Sequence, residues 1–207
     1  PEKKIGMVVD EWGSWYTAEP GTNPGFLYQQ NTIRDALIAG ITLNIFNRHC
    51  DRVKMACIAQ MINVLQSMIL TDGDQMIKTP TYHVFHQYRY HQGAELLDTQ
   101  ITDDGTEGPD EWRVPEVTES VSVDKDGIMT ITLANLSADD SKDMEISFAE
   151  KKAPKVKEAT VVTGDIHAHN TFEAPSEVIE QKFDAYMEGE DGLKVTLPPA
   201  SITLLRI

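Results

Sequence analysis

The chain has 207 residues, 41% of them hydrophobic and 25% charged, and a formal net charge of −15, which is length enough to bury a core in one large domain or two small ones. The acid excess argues against nucleic acid and anionic membrane as partners, because both need a basic face, and leaves neutral ligands open. Residues 1–96 carry 8 Lys+Arg against 9 Asp+Glu and residues 97–207 carry 10 against 24, an asymmetry that suggests two units.

Ile5 to Val9 is a short β-branched run that predicts a strand buried on both faces, as parallel sheets require. A loop rich in Gly and Pro follows, from Thr17 to Gly25. Ile33, Leu37, Ile41 and Ile45 then recur at helical spacing, with Asn31 and Thr32 as cap candidates and Arg48 near the end. Val53 to Ala59 predicts a second strand. Beyond it lie a turn at Asp72-Gly73-Asp74 and a helix from Thr79 or Pro80 to His91, since proline is tolerated in a first helical turn. Strand, helix, strand, helix is the unit of a parallel α/β fold. Pro1-Glu2-Lys3-Lys4 leads almost directly into the first strand, with neither an initiator Met nor a signal peptide, so the chain reads as cut from something longer.

From about Ala94 the pattern changes to a period of two. "ESVSVDKDGIMTITLANLS" alternates apolar and polar residues around Asp124-Lys125-Asp126-Gly127, which predicts a hairpin. "DMEISFAE", "KEATVVTGD" and "GLKVTLPPASITLLRI" keep that period, so the second unit is expected to be an antiparallel β-sandwich, its Asp and Glu forming a solvated face. Thr102 to Glu111 is expected to be a solvated loop. The fold class is therefore α/β plus all-β. No apolar stretch is long enough to span a bilayer.

Candidate chemistry begins at the end of the first strand. In a parallel barrel the C-terminal strand ends form the active-site rim, so the acids in "VVDEW" stand where chemistry occurs, or serve as salt-bridge and cap partners. Adjacent strand residues face opposite ways, so one of Asp10 and Glu11 points into the mouth. Trp12 and Trp15 offer faces on which sugar rings stack, or fill core. Cys50 and Cys57, seven residues apart, read as buried free thiols. His83, His86 and Tyr90 read as a satisfied, partly buried helix face. His167 and His169 share one face of an expected strand but lack a third ligand nearby, so no metal site is expected.

"VVDEWGSWY", "RDALIAGITLNIFNRHCDRVKMACIAQMINVLQSMILTDG" and "TPTYHVFHQY" resemble the C-terminal stretch of the catalytic barrel in the α-L-arabinofuranosidases of glycoside hydrolase family 51. "HNTFEAPSEV" and "LPPASITLLRI" resemble the sandwich that follows that barrel. The resemblance implies that residues 1–96 are the last two strand-helix units of a (β/α)8 barrel and that residues 97–207 are an accessory β-sandwich. It implies a retaining hydrolase, without cofactor, that removes terminal arabinofuranosyl groups from arabinan, arabinoxylan or their oligosaccharides. By the same resemblance Glu11 falls on the nucleophile, Trp15 borders the sugar site with Trp12 beside it, and Gln60 hydrogen-bonds the sugar in the cleavage subsite. Where the family commonly reads "DEWN", this chain has Gly13.

A retaining glycosidase needs a second carboxyl group about 5 Å from the nucleophile. In the family it follows an Asn at the end of the fourth strand. No Asn-Glu occurs in these 207 residues, so the acid/base is expected on upstream sequence and the chain alone is expected to be inactive. The resemblance also implies a homo-oligomer, or association with the N-terminal part of the barrel. The compartment stays open: cytoplasmic, or periplasmic or secreted if a signal peptide precedes. The other reading is a noncatalytic carbohydrate-binding or assembly module centred on the sandwich.

Overall fold

The computed structural model describes residues 3–102, 105–149 and 155–207. The Pro1-Glu2 lead-in, part of the expected 102–111 loop and the last residue of the expected 143–150 strand lie outside them.

β1 (Met7–Trp12) leads through a one-turn 3-10 helix at Pro24–Phe26 to α1 (Ile33–Arg48), and β2 (Val53–Ile58) follows. α1 starts where the sequence places a cap, the Thr32 amide donating to Asp35 Oδ2 at 2.8 Å. β1 and β2 pair in parallel, Met7 opposite Val53 and Trp12 opposite Ile58. β3 (Ile69–Asp72) and β4 (Gln75–Lys78) form a hairpin, and α2 (Pro80–Tyr88) continues as a 3-10 turn to His91. β5 (Glu95–Leu96) and the short pair β6 (Thr106–Glu107) and β7 (Val114–Pro115) come next, so part of the expected loop is a small ladder. The remaining strands are β8 (Val117–Val123), β9 (Met129–Asn135), β10 (Lys142–Ser147), β11 (Glu158–Thr163), β12 (Gln181–Lys182), β13 (Tyr186–Glu188), β14 (Gly192–Leu197) and β15 (Ser201–Arg206).

The molecule is mostly β-sandwich-like with few helices. One sheet runs β12-β11-β15-β9-β8-β5 and the other β10-β14-β13, all pairs antiparallel. The expected hairpin closes at Asp124, whose carboxylate accepts from the amides of Asp126 and Ile128. Between the sheets, Val121, Ile131, Leu133, Leu193, Leu197 and Leu205 form one core. On the other side of the six-stranded sheet α1 and α2 build a second core with Ile33, Ala36, Val84, Tyr88, Val162 and Ile202. Gly40 is needed there, because a Cβ would overlap Ile202 Cδ1.

Most Asp and Glu of the sandwich are exposed as expected, Asp143 and Glu145 among them, but the second layer buries polar positions of another kind. The Ser and Thr positions of β8, β9 and β15, which alternate as an exposed face would, are covered by the two helices. Some are bonded across the contact, Asn44 Nδ2 donating to Thr118 Oγ1 at 3.0 Å, and on β11 Thr160 Oγ1 accepts from Gln87 Nε2 at 3.2 Å, while the hydroxyls of Ser120 and Thr203 are buried without a partner among the described residues. Glu119 is itself 7% exposed, accepting from Thr99 and paired with Arg48.

Three further expectations are corrected. β1 is not buried on both faces: Met7 is 48% and Val8 58% exposed, because among the described residues β1 pairs with β2 alone and its outer face is uncovered. Cys50 and Cys57 are free but exposed, one in the turn after α1 and the other on the open face of β2. His167 and His169 do not share a strand: His167 lies in a turn, and His169 forms an isolated bridge with Thr32 while its Nδ1 donates to the His167 carbonyl. No helix among the described residues is long and apolar enough to cross a membrane.

Candidate functional site

Residues 11–18 alternate between exposed and half-buried, and the chain bends at Gly13, just past the last residue of β1. Glu11 and Trp15 are exposed. Trp12, Ser14 and Tyr16 face inward and anchor the segment. Trp12 stacks on Phe85 with ring centroids 6.0 Å apart and meets Phe46 edge-on at 5.4 Å, so its ring belongs to the helix-side core. Ser14 Oγ donates to Asp35 Oδ1 at 2.6 Å. The Arg34 guanidinium lies 3.7 Å over the Tyr16 ring, while burial and then the Asp35 carboxylate push the Tyr16 hydroxyl above its ordinary pKa.

Glu11 is exposed, and among the described residues its carboxylate has no hydrogen bond or ion pair. Trp15 is 67% exposed, its ring free of any aromatic or cationic neighbour among the described residues. Gln60 is exposed just after β2, beyond a cis Ala59–Gln60 peptide, its amide donating to the Val64 carbonyl at 3.0 Å. The Ala59 amide donates to the Trp12 carbonyl at 2.8 Å, which ties the two strand ends together. Glu11 and Gln60 thus stand at neighbouring C-terminal ends of a parallel pair, whose strands run about 4.8 Å apart.

Sequence reasoning missed the network beneath them. Gln66 is fully buried; its Oε1 accepts from the Ser14 amide at 2.8 Å, and its Nε2 donates to the Asp35 carbonyl at 2.7 Å and to Thr81 Oγ1 at 3.2 Å. Gln29, also buried, donates to Ser14 Oγ and accepts from the Tyr16 amide. Only Thr32, as a cap candidate, was readable in advance, because the partners of Gln66 and Gln29 lie 13 to 52 residues away.

A separate groove of about 360 Å³ opens between the segment after β1 and the 169–173 loop, lined by Glu19, Tyr28, Gln30, Asn31, His169 and Phe172 among others. Glu11, Trp12, Trp15 and Gln60 are not in it. The Glu19 carboxylate adds to burial in raising the Tyr28 pKa. Elsewhere, His83 is half-buried and burial holds it at about 4, whereas His86 is exposed and meets Glu180 at 2.5 Å. The Tyr90 hydroxyl donates to Glu158 at 2.8 Å with Arg89 and Arg206 over its ring. Among the described residues no group of three or more His, Cys, Asp or Glu is placed to hold a metal ion.

A parallel strand pair ending in an acid and an amide, joined to a two-sheet sandwich, has close counterparts among known proteins. The sequence matches the α-L-arabinofuranosidase C-terminal domain family over residues 10–201, and the chain belongs to that family. It is 41% identical over 206 residues to an intracellular exo-α-L-arabinofuranosidase of Bacteroides ovatus, covering 100% of this chain and 40% of the relative. The crystal structure of the family 51 arabinofuranosidase from Xanthomonas axonopodis pv. citri superposes with a TM-score of 0.92 at 43% identity, covering 98% of this chain and 41% of that one. A family 51 α-L-arabinofuranosidase from Bifidobacterium longum gives 0.84 at 25% identity, over 99% and 42%. The chain thus spans about two fifths of the length of the relatives it matches.

Proposed function

We propose that this chain supplies the nucleophile-bearing end of a retaining α-L-arabinofuranosidase acting on terminal arabinofuranosyl groups of arabinose-containing oligo- or polysaccharides. The observation that carries the reading is Glu11: an unpaired, exposed carboxylate four residues before the exposed Trp15, at a strand end bonded to the strand that leads into Gln60. In this reading Glu11 attacks the anomeric carbon, the glycosidic bond breaks, and the leaving oxygen takes a proton from a second carboxyl group contributed outside these 207 residues. Water then attacks the glycosyl-enzyme, giving its proton back to that second group and releasing Glu11, with net retention. Gln60 offers a donor and an acceptor to sugar hydroxyls. Trp15 provides a stacking face, and Trp12, packed on Phe85, keeps the strand end in place.

The same reading takes residues 1–96 as the last two strand-helix units of a (β/α)8 barrel and residues 97–207 as its accessory sandwich. The parallel β1–β2 pair crossed by α1, and the apolar Met7, Val8 and Met55 exposed on it, support this, since a parallel sheet is normally covered on both faces. Further barrel strands would cover them, from the same polypeptide or from an associated copy.

The test uses the enzyme expressed with its upstream coding sequence. A slow fluorinated arabinofuranosyl substrate is reacted, quenched and digested with trypsin. The peptide spanning residues 5–34 gains one fluoroarabinosyl group, and fragmentation puts it on Glu11. Label on another carboxylate, or an inverted product by NMR, overturns the reading; absence of hydrolysis favours the noncatalytic module.

A further inference from the structure

Three polar side chains beneath the strand end have no part in the chemistry just proposed, yet they fix the backbone that carries it. Ser14 sits between Glu11 and Trp15 in sequence and is half-buried where they are exposed. Its amide, carbonyl and hydroxyl are all bonded to buried side chains: the amide to Gln66, the carbonyl and hydroxyl to Gln29, the hydroxyl also to Asp35. Asp35 is 0% exposed and is itself held by the Thr32 amide and by Arg34 at 3.3 Å. Gln66 reaches both α1, at the Asp35 carbonyl, and α2, at Thr81. The segment is therefore bonded to two helices at one residue.

Gly13 completes the arrangement. Its φ of +145° suits glycine, and a Cβ there would stand 3.2 Å from Gln66 Oε1, the atom that accepts from Ser14.

We propose that Ser14, Gln66 and Asp35 are positioning residues that set the direction of the Glu11 carboxylate relative to Trp15. This rests on the assignment of Glu11 as nucleophile. None of the three touches the sugar; each acts through the backbone of residues 13–16. A buried network satisfied at nearly every atom has one low-energy arrangement, and loosening it spreads the carboxylate over geometries in which attack is slow.

In the enzyme with its upstream sequence, Ser14→Ala removes the hydroxyl bonds and keeps the amide bond to Gln66. With an aryl α-L-arabinofuranoside, kcat is expected to fall on the order of tenfold to a hundredfold, the scale for a displaced reacting group, while KM stays within about twofold. Ser14→Thr, which restores the hydroxyl, is expected to recover most of kcat. Thr81→Val, isosteric and acting only through Gln66, should lower kcat in the same direction, and serves if Ser14→Ala does not fold. The fluoroarabinosyl label on wild-type Glu11 separates the two ideas. With the label on Glu11, wild-type kcat in folded Ser14→Ala or Thr81→Val, or a loss confined to KM, overturns the positioning role alone. With the label elsewhere, both fall.

Discussion

The Tyr88 hydroxyl donates to Asn44 Oδ1 at 2.7 Å, and Asn44 carries that bond into the sheet through Thr118 and Thr132. One fully buried amide thus joins α1, α2, β8 and β9, in the layer where the helices cover the Ser/Thr face of the six-stranded sheet. Asn44→Ala would leave the hydroxyls of Thr118 and Thr132 buried with a partner lost. It is expected to destabilise by about 2–4 kcal/mol, read from the urea midpoint at unchanged slope. A change below about 0.5 kcal/mol, the range of ordinary surface substitutions, would show that the layer is not held there.

Gly13→Ala combines an unfavourable positive φ with a Cβ at 3.2 Å from Gln66 Oε1. The expected cost is about 1–3 kcal/mol of stability. Gly21→Ala is the contrast, since its φ is also positive (+84°) but a Cβ there meets nothing within 4 Å. Thermal melts that rank the two equally would remove Gln66 from the explanation.

How much of this was legible follows from the range of the interactions. Helix α1 was readable because Ile33, Leu37, Ile41 and Ile45 and the Thr32 cap are local, and the β8–β9 hairpin because Asp124 to Gly127 is a local turn. Local pattern failed where burial depends on distant neighbours. Thr118, Thr132 and Thr203 alternate as a wet face does, yet α1 and α2 lie on them. Met7 and Val8 read as core, yet nothing among the described residues covers them. At the candidate site Glu11, Trp15 and Gln60 were named from family resemblance; Gln66 and Gln29 were not, because a buried glutamine has no sequence signature until its partners are known.

His91 makes stability depend on pH in a defined direction. It lies against Ser122 Oγ at 2.7 Å and Thr132 Oγ1 at 3.1 Å, and burial pulls its pKa down from 6.5 to about 4. The fold therefore prefers the neutral ring. Its contribution is fully present above the unfolded value of 6.5, and is lost as pH falls from there to about 4. Between those limits His91 adds a slope of up to about 1.4 kcal/mol per pH unit, one proton being taken up on unfolding. His83, also lowered to about 4 by burial, adds to it in the same sense. Urea titrations at pH 4.5, 5.5 and 6.5 should show a shallower decline for His91→Gln than for wild type; equal slopes would show that His91 titrates normally.

Gln60→Ala probes the second strand end. If its amide holds the sugar in the cleavage subsite, kcat/KM for an aryl α-L-arabinofuranoside falls by roughly 1–3 kcal/mol in transition-state binding, the range for a lost buried hydrogen bond. The side chain has no protein partner among the described residues, so the fold should be indifferent to its loss. Unchanged kinetics in the folded variant would take Gln60 out of the site.

Glu11→Ala decides the nucleophile by the product it makes. If Glu11 is the nucleophile of the enzyme with its upstream sequence, the variant loses the covalent route, and hydrolysis of an aryl α-L-arabinofuranoside should be nearly abolished. The Glu11 side chain makes no hydrogen bond or ion pair with the rest of the described chain, so its removal should leave the melting temperature unchanged. Azide can enter the space vacated by the side chain and attack the anomeric carbon from that face as the aryl group departs. The expected product is an arabinofuranosyl azide of inverted configuration, formed at a rate that rises with azide concentration. Azide attacking a glycosyl-enzyme already formed on an intact nucleophile would give the retained azide instead. Retained azide from Glu11→Ala, or wild-type hydrolysis without azide, would show that another residue carries the attack.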